Sequence, residues 1–211
     1  ISHTGAYGGS YQLYQGVLEQ NGVILTNSFH ECFAACETLS LQPVPKGNRV
    51  ALLSNGAGPM VNAIDLFPEN KLELAKLEKS SVKSMKEKFS FFYIPENPVD
   101  VTGSASSKDY EFVITKLLED KNVDIIMPFF VFQNNPLDES IISILENINK
   151  KKRKPIICCS SEGVYSEKMS RKLRNAGIPI YKTINQWVAA AAALASWSSI
   201  LKKKLRRNCN G

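Results

Sequence analysis

Val50-Ala51-Leu52-Leu53, then Ser54-Asn55-Gly56-Ala57-Gly58-Pro59, then Met60-Val61-Asn62-Ala63-Ile64-Asp65-Leu66 is a short apolar run, a turn of small residues and a stretch of helical character. Four apolar residues bounded by turn formers make a strand buried on both faces, as parallel sheets require. Gly56 and Gly58 bend the chain, and Pro59 suits the first turn of the helix that follows. The unit reads strand, glycine turn, helix.

Downstream the alternation continues. The patterning predicts a strand over 74–77, a helix over 80–88, a loop around Asn97-Pro98-Val99-Asp100, and a helix over 108–119. It then predicts the most apolar strand over 123–130, a helix over 136–149, a strand over 155–159, a helix over 165–175, a strand over 179–181 and a last helix over 183–205. Strands alternating with helices are joined by right-handed parallel crossovers. The fold class is therefore α/β, a flavodoxin-like open parallel sheet of five strands with helices on both faces. Upstream, Pro43, Pro45 and Gly47 break both periodic structures and mark a boundary. Before it come a loop over 2–10, a helix over 10–21, a strand over 23–25, and a helix from Ser28 to about 39 with Glu31 as capping-box partner. The expected division is a partial second α/β domain at 1–44, the sheet domain at 45–205 and a basic tail at 206–211.

Composition excludes several classes. Of the 211 residues, 44% are hydrophobic and 22% charged, the balance of an ordinary globular protein. The longest apolar candidate, 187–197, is shorter than the roughly 18 residues a membrane span needs. The net charge of +6 comes partly from two clusters, 150–154 and 202–207, which read as solvated surface and not as a nucleic-acid face. The second also suits the C-terminal end of a helix. Cys158 and Cys159 are adjacent and Cys32 and Cys36 lie one helical turn apart, which is no secreted disulfide framework. They read as reduced thiols of a cytoplasmic protein. His30, Cys32 and Cys36 do not make a metal site, because His30 and Cys32 share no helix face and no second ligand pair follows. Opening on Ile1, without an initiator methionine or a leader, the sequence reads as an excised piece of a larger structure.

Two features can carry chemistry. His3, in Ser2-His3-Thr4-Gly5-Ala6, is by itself a histidine in a small-residue loop. Gly8, Gly9 and a helix starting near Ser10 leave that loop free to move and its imidazole free to meet a large electrophile. Neutral imidazole is a competent nucleophile that can divide one hard transfer into two easier ones. The second feature is Asn55, Gly56, Ala57 and Gly58, at the carboxyl end of a strand and the start of a helix. Unpaired backbone N–H groups there favour an anion such as phosphate. A turn made only for packing is the plain alternative, since neither the dinucleotide fingerprint nor a P-loop lysine is present.

Together these features resemble the ADP-forming acyl-CoA synthetases, particularly the acetate–CoA ligase group. The resemblance runs through Ser2 to Ser10, Gly22-Val23-Ile24, Leu41 to Val50 and Ser54 to Pro59. It continues through Asn97-Pro98-Val99-Asp100-Val101-Thr102-Gly103, Val123-Asp124-Ile125-Ile126 and Ala176-Gly177-Ile178-Pro179-Ile180-Tyr181. It implies interconversion of acyl-CoA, ADP and phosphate with a carboxylic acid, CoA and ATP, through an acyl phosphate and a phosphohistidine. By it His3 is the phosphorylated residue, Ser2, Thr4 and Gly5 support its loop, and Asn55, Gly56, Ala57 and Gly58 form one of two helix starts holding the phosphoryl group. The resemblance further implies CoA-binding and ATP-grasp domains, on this chain or a partner subunit, with Mg as cofactor; this piece itself holds no cofactor and no metal. Assembly into an oligomer is compatible with it.

Departures from the family bear on activity. No lysine loop with metal-binding carboxylates replaces the ATP-grasp domain, so the isolated piece is expected to be inactive. Phe129-Phe130-Val131-Phe132-Gln133 stands where succinyl-CoA ligases carry a paired-glycine loop. Asp100 reads equally as a turn residue. Two other readings are a protein lysine acetyltransferase relative, which retention of His3 opposes, and a non-catalytic flavodoxin-like module, for which no acidic cluster is evident.

Overall fold

The computed structural model describes residues 10–89 and 93–209; His3 and the rest of its loop lie outside them. The elements in order are α1 (Tyr11–Gln20), α2 (Phe29–Leu41), β1 (Arg49–Ser54), α3 (Gly58–Asp65), β2 (Glu73–Leu74), α4 (Lys79–Lys88) and β3 (Val99–Asp100). They continue with α5 (Ser107–Glu119), β4 (Ile125–Phe130), α6 (Ser140–Asn149), β5 (Cys158–Ser160), α7 (Val164–Asn175), β6 (Ile180–Tyr181) and α8 (Ile184–Cys209). The sheet runs β2-β1-β4-β5-β6, with β3 also on β1, and the strand pairings are parallel. Setting β3 aside, this is the flavodoxin-like order.

Strand periodicity divides the core into two layers. Ala51, Leu53, Ile126, Phe130, Cys158 and Ile180 face the cluster that holds Met85 of α4, Tyr110 and Ile114 of α5, Leu145 of α6 and Leu173 of α7. Val50, Leu52, Ile125, Met127, Cys159 and Tyr181 face the other, with Ala34 of α2, Met60 and Ala63 of α3, and Trp187, Ala191 and Leu194 of α8. The adjacent cysteines thus belong to opposite faces of one strand. Burial pushes both thiols up, Cys159 to about 12, so they pack as small apolar groups.

α2 is tied to the sheet domain by polar bonds as well as by Ala34. Tyr181 Oη donates to the Ala34 carbonyl at 2.8 Å and lies 2.6 Å from Thr38 Oγ1. Gln42 accepts the Ile156 N–H at 3.0 Å and donates to Asn149 Oδ1 at 3.1 Å. α1, in contrast, has no buried residue.

One edge of β1 is shared. Arg49 and Val50 pair with Glu73 and Leu74 of β2, and Leu53 and Ser54 pair with Val99 and Asp100 of β3. The gap between them is filled by a side chain: Asn97 Oδ1 accepts the Leu52 N–H at 2.9 Å, while its Nδ2 donates to Val50 O at 2.8 Å and Ala75 O at 2.9 Å. The amide supplies the bonds that a continuous strand would make.

Several expected elements differ from the structure, among them the strand expected at 155–159, which lies at Cys158–Ser160. Residues 23–25 form no strand, because Val23 and Leu25 are exposed and no neighbouring strand among the described residues completes the ladder. The strand expected at 74–77 ends at Leu74, since the Lys76 carbonyl turns to Asn122 Nδ2 at 2.9 Å. The loop expected at 97–100 contains β3. The helix expected from 136 begins at Ser140, the N–H of which is taken by Asp138 Oδ1 at 3.0 Å. The capping box of α2 is offset by one residue: Ser28 Oγ accepts the Glu31 N–H, but Glu31 reaches the Asn27 N–H.

Replacing Asn97 by Ala leaves the Leu52 N–H without an acceptor and the Ala75 carbonyl without a donor. A loss of about 2–3 kcal/mol follows from two such groups. Urea unfolding should show the midpoint fall with the slope unchanged; a midpoint within error of wild type would contradict the role given to Asn97.

Candidate functional site

The turn leaving β1 is held from below and from both sides. Ser54 Oγ accepts the Gly56 N–H at 2.9 Å and donates to Gly56 O at 2.7 Å. Asn55 is buried, and its side chain meets the backbone of Val131 in both directions: Oδ1 accepts the Val131 N–H at 2.8 Å and Nδ2 donates to Val131 O at 3.1 Å. The Asn55 N–H donates to Tyr110 Oη at 2.8 Å, and Asn134 Nδ2 donates to Asn55 O at 3.4 Å. The polar groups of Asn55 are therefore spent within the fold. It shapes the turn, and the groups left for a ligand belong to its neighbours.

Those groups are the N–H donors of Ala57 and Gly58. Both residues are exposed, and neither N–H has a hydrogen-bond partner among the described residues. They open α3, which has no side-chain cap and carries Pro at its start. First-turn donors and the positive end of the helix dipole point the same way. A Cβ built on Gly58 would meet nothing within 4 Å, whereas one on Gly56 would lie 3.1 Å from Val131 Cγ2. Space above the turn is open at Gly58 and closed at Gly56.

The loops after β3 and β4 stand beside it, at the carboxyl edge where open α/β sheets receive ligands. Asp100 Oδ1 accepts the Thr102 N–H at 2.8 Å, so Asp100 closes a turn. Thr102 Oγ1 lies 3.0 Å from Ser104 Oγ, and a Cβ on Gly103 would lie 3.2 Å from Asn134 Nδ2. Further along the edge, Gln133 donates to Ser166 Oγ at 3.0 Å and accepts from Ser161 Oγ at 2.8 Å. Asp138 is drawn below the ordinary carboxylate range by its bonds from Ser140 and Ser107. Tyr110 and Asn134 were not singled out by sequence reading. Tyr110 stands at an apolar position of α5, and only its place under the strand ends reveals a role for the hydroxyl.

Elsewhere, His30 and Cys36 line an open cavity of about 500 Å³ with Arg174 and Lys182. Among the described residues no group of three or more His, Cys, Asp or Glu side chains could hold a metal ion. No helix among them is long and apolar enough to cross a membrane.

A flavodoxin-like parallel sheet with an anion-competent turn at its carboxyl edge defines the class. No protein-family model matches the chain. It is 34% identical over 199 residues to the alpha subunit of acetate–CoA ligase [ADP-forming] II of Pyrococcus furiosus, covering 92% of this chain and 43% of the relative. A solved structure of a Pyrococcus horikoshii protein superposes with a TM-score of 0.85 at 29% identity, covering 92% of this chain and 45% of that one. So does a dinucleotide-forming acetyl-coenzyme A synthetase 1 of Ca. Korarchaeum cryptofilum solved in complex with phosphate and ADP, at 0.85 and 26% identity, covering 96% and 45%. The chain is related to the ADP-forming acyl-CoA synthetases and spans less than half the length of these relatives.

The contrast between the two glycines is measurable. Gly58→Ala should keep the thermal midpoint or raise stability by roughly 0.5 kcal/mol, because the added methyl finds open space and the unfolded chain loses freedom. Gly56→Ala should cost about 1 kcal/mol through contact with Val131. Thermal unfolding of the two variants side by side checks the order.

Proposed function

We propose that this chain is part of an NDP-forming acid–CoA ligase, interconverting acyl-CoA, ADP and phosphate with a carboxylic acid, CoA and ATP through a phosphohistidine at His3. The observation that carries the reading is the pair of outward N–H groups at Ala57 and Gly58, at the turn matched to the family's phosphoryl-holding helix start. The names of the relatives support the reaction class.

In this reading a neutral ring nitrogen of His3 attacks the phosphorus of an acyl phosphate. The nitrogen–phosphorus bond forms, the bond from phosphorus to the acyl oxygen breaks, and the carboxylate leaves with that electron pair. A terminal phosphate oxygen of ADP then attacks the same phosphorus and imidazole departs, giving ATP. Ala57 and Gly58 N–H groups hold the phosphoryl oxygens, and their fixed dipoles stabilise charge without reorganising. Gly56 and Asn55 keep those donors in place, while Ser2, Thr4 and Gly5 support the histidine loop. Mg would neutralise nucleotide phosphate charge, and its ligands belong to the accompanying ATP-grasp domain.

We place residues 1–44 at the end of a preceding domain that carries the histidine loop, 45–205 in the sheet domain and 206–211 in a basic tail. The bonds from Thr38 and Gln42 to the sheet domain make the junction at α2 a firm one. CoA-binding and ATP-grasp domains complete the enzyme on the same chain or a partner subunit, in a cytoplasmic setting, and the piece alone does not turn over.

In the complete enzyme His3→Ala should abolish ATP formation from acyl-CoA, ADP and phosphate, while release of CoA with formation of acyl phosphate survives. Labelled ATP should leave an acid-labile, base-stable phosphoprotein in wild type and none in the variant. Retention of label and full turnover would remove His3 from the mechanism.

A further inference from the structure

We propose that Tyr110 is a positioning residue for the anion turn: its hydroxyl, lodged between the carboxyl ends of β1 and β4, sets where the Ala57 and Gly58 N–H groups point. The proposal rests on the reading of that turn as the phosphoryl site.

The ring of Tyr110 is fully buried on the apolar face of α5, with its centroid 4.8 Å from that of Phe130. A phenylalanine would fill the same volume, and a buried hydroxyl is costly unless bonded. Here it has a full set of partners. It accepts the Asn55 N–H at 2.8 Å, and its single proton lies within reach of Phe129 O at 2.8 Å and Asn55 Oδ1 at 3.0 Å. Asn55 Oδ1 already receives the Val131 N–H at 2.8 Å, which leaves the Phe129 carbonyl as the acceptor in need of that proton. Burial raises the hydroxyl well above an ordinary phenol, keeping it a donor across the physiological range.

The contact acts on Asn55, two residues before Ala57 and three before Gly58, and the intervening Gly56 N–H is pinned by Ser54 Oγ at 2.9 Å. With so few backbone torsions between, tilting the Asn55 peptide swings both free donors. Donors that bind anions in a fixed frame lose affinity steeply when misaimed. Tyr110 touches no ligand itself; it acts through the peptide of Asn55.

The test titrates inorganic phosphate into wild type and Tyr110→Phe while following the amide resonances of Ala57 and Gly58. In wild type both amides should move with phosphate. In Tyr110→Phe the dissociation constant should rise about tenfold, with the dispersed spectrum of the sheet retained. Equal affinity in a folded variant overturns the positioning role and leaves the anion site standing; wild-type amides that ignore phosphate overturn both. In the complete enzyme the companion readout is a raised KM for phosphate with the KM for acyl-CoA unchanged, and equal changes in both would count against Tyr110. If Tyr110→Phe does not fold, Asn134→Ala decides, since Asn134 Nδ2 donates to the Asn55 carbonyl at 3.4 Å. A threefold or greater weakening supports the frame around Asn55, and unchanged affinity overturns it.

Discussion

The pairing of β1 with β4 is the contact from which the remaining structure is hung, and side chains close it at both ends. Its register runs from Val50 against Ile125 to Ser54 against Phe129. At the amino end Arg49 Nε meets Asp124 Oδ2 at 2.8 Å, Nη2 meets Oδ1 at 3.1 Å, and the Arg49 N–H adds a third bond to the same carboxylate. A Cβ on Gly47 would come within 2.6 Å of Asp124 Oδ2, so the chain must be bare where it passes this ion pair. At the carboxyl end Asn55 replaces the ion pair with an amide bonded both ways to Val131. One clamp pairs a buried carboxylate with a half-exposed guanidinium, the other uses neutral groups in the interior. The second closes the pairing without a buried charge.

That difference gives the two ends of the sheet different chemistry. At the amino end Arg49 donates to Asp124, Asn122 and the Lys121 carbonyl, and its bond to Asp124 raises the guanidinium pKa. At the carboxyl end the polar groups beneath the turn are consumed by the fold, and donors remain only above it. Preorganisation comes from this one-sidedness: water can reach Ala57 and Gly58, yet the peptides below them are fixed by Ser54, Tyr110, Val131 and Asn134. A turn built so presents its donors without having to rearrange.

The same device recurs along the sheet. Asn97 bridges the gap between β2 and β3 on β1, Gln42 caps the N–H of Ile156, and Trp187 Nε1 donates to the Ile157 carbonyl at 2.7 Å. Short strands leave ladder positions empty, and buried amides and an indole fill them. Among the described residues no buried side-chain nitrogen or oxygen lacks a hydrogen-bond partner. The fold reaches that state with two-residue strands at β2, β3 and β6 because side chains carry part of the backbone's hydrogen bonding.

By itself the sequence determined the class of fold and the place of the turn. Four apolar residues before Ser54, two glycines and Pro59 admit little but strand, turn and helix, and the recurrence of that pattern leaves parallel crossovers as the way to bury both faces. Helices were legible where a cap or a stripe is local, as at Ser28 and in α5. Tertiary structure alone decided the rest. Whether 23–25 forms a strand depends on a neighbour, and β3 exists because Val99 and Asp100 meet Leu53 and Ser54 across nearly fifty residues. The site divides in the same way. The place of the turn follows from local residue types, but that Asn55 spends its polar groups on the frame while the Ala57 and Gly58 N–H groups stay unbonded among the described residues depends on Tyr110 and Val131. Those partners stand 55 and 76 positions away in sequence, and periodicity carries no information about which buried hydroxyl will meet which peptide.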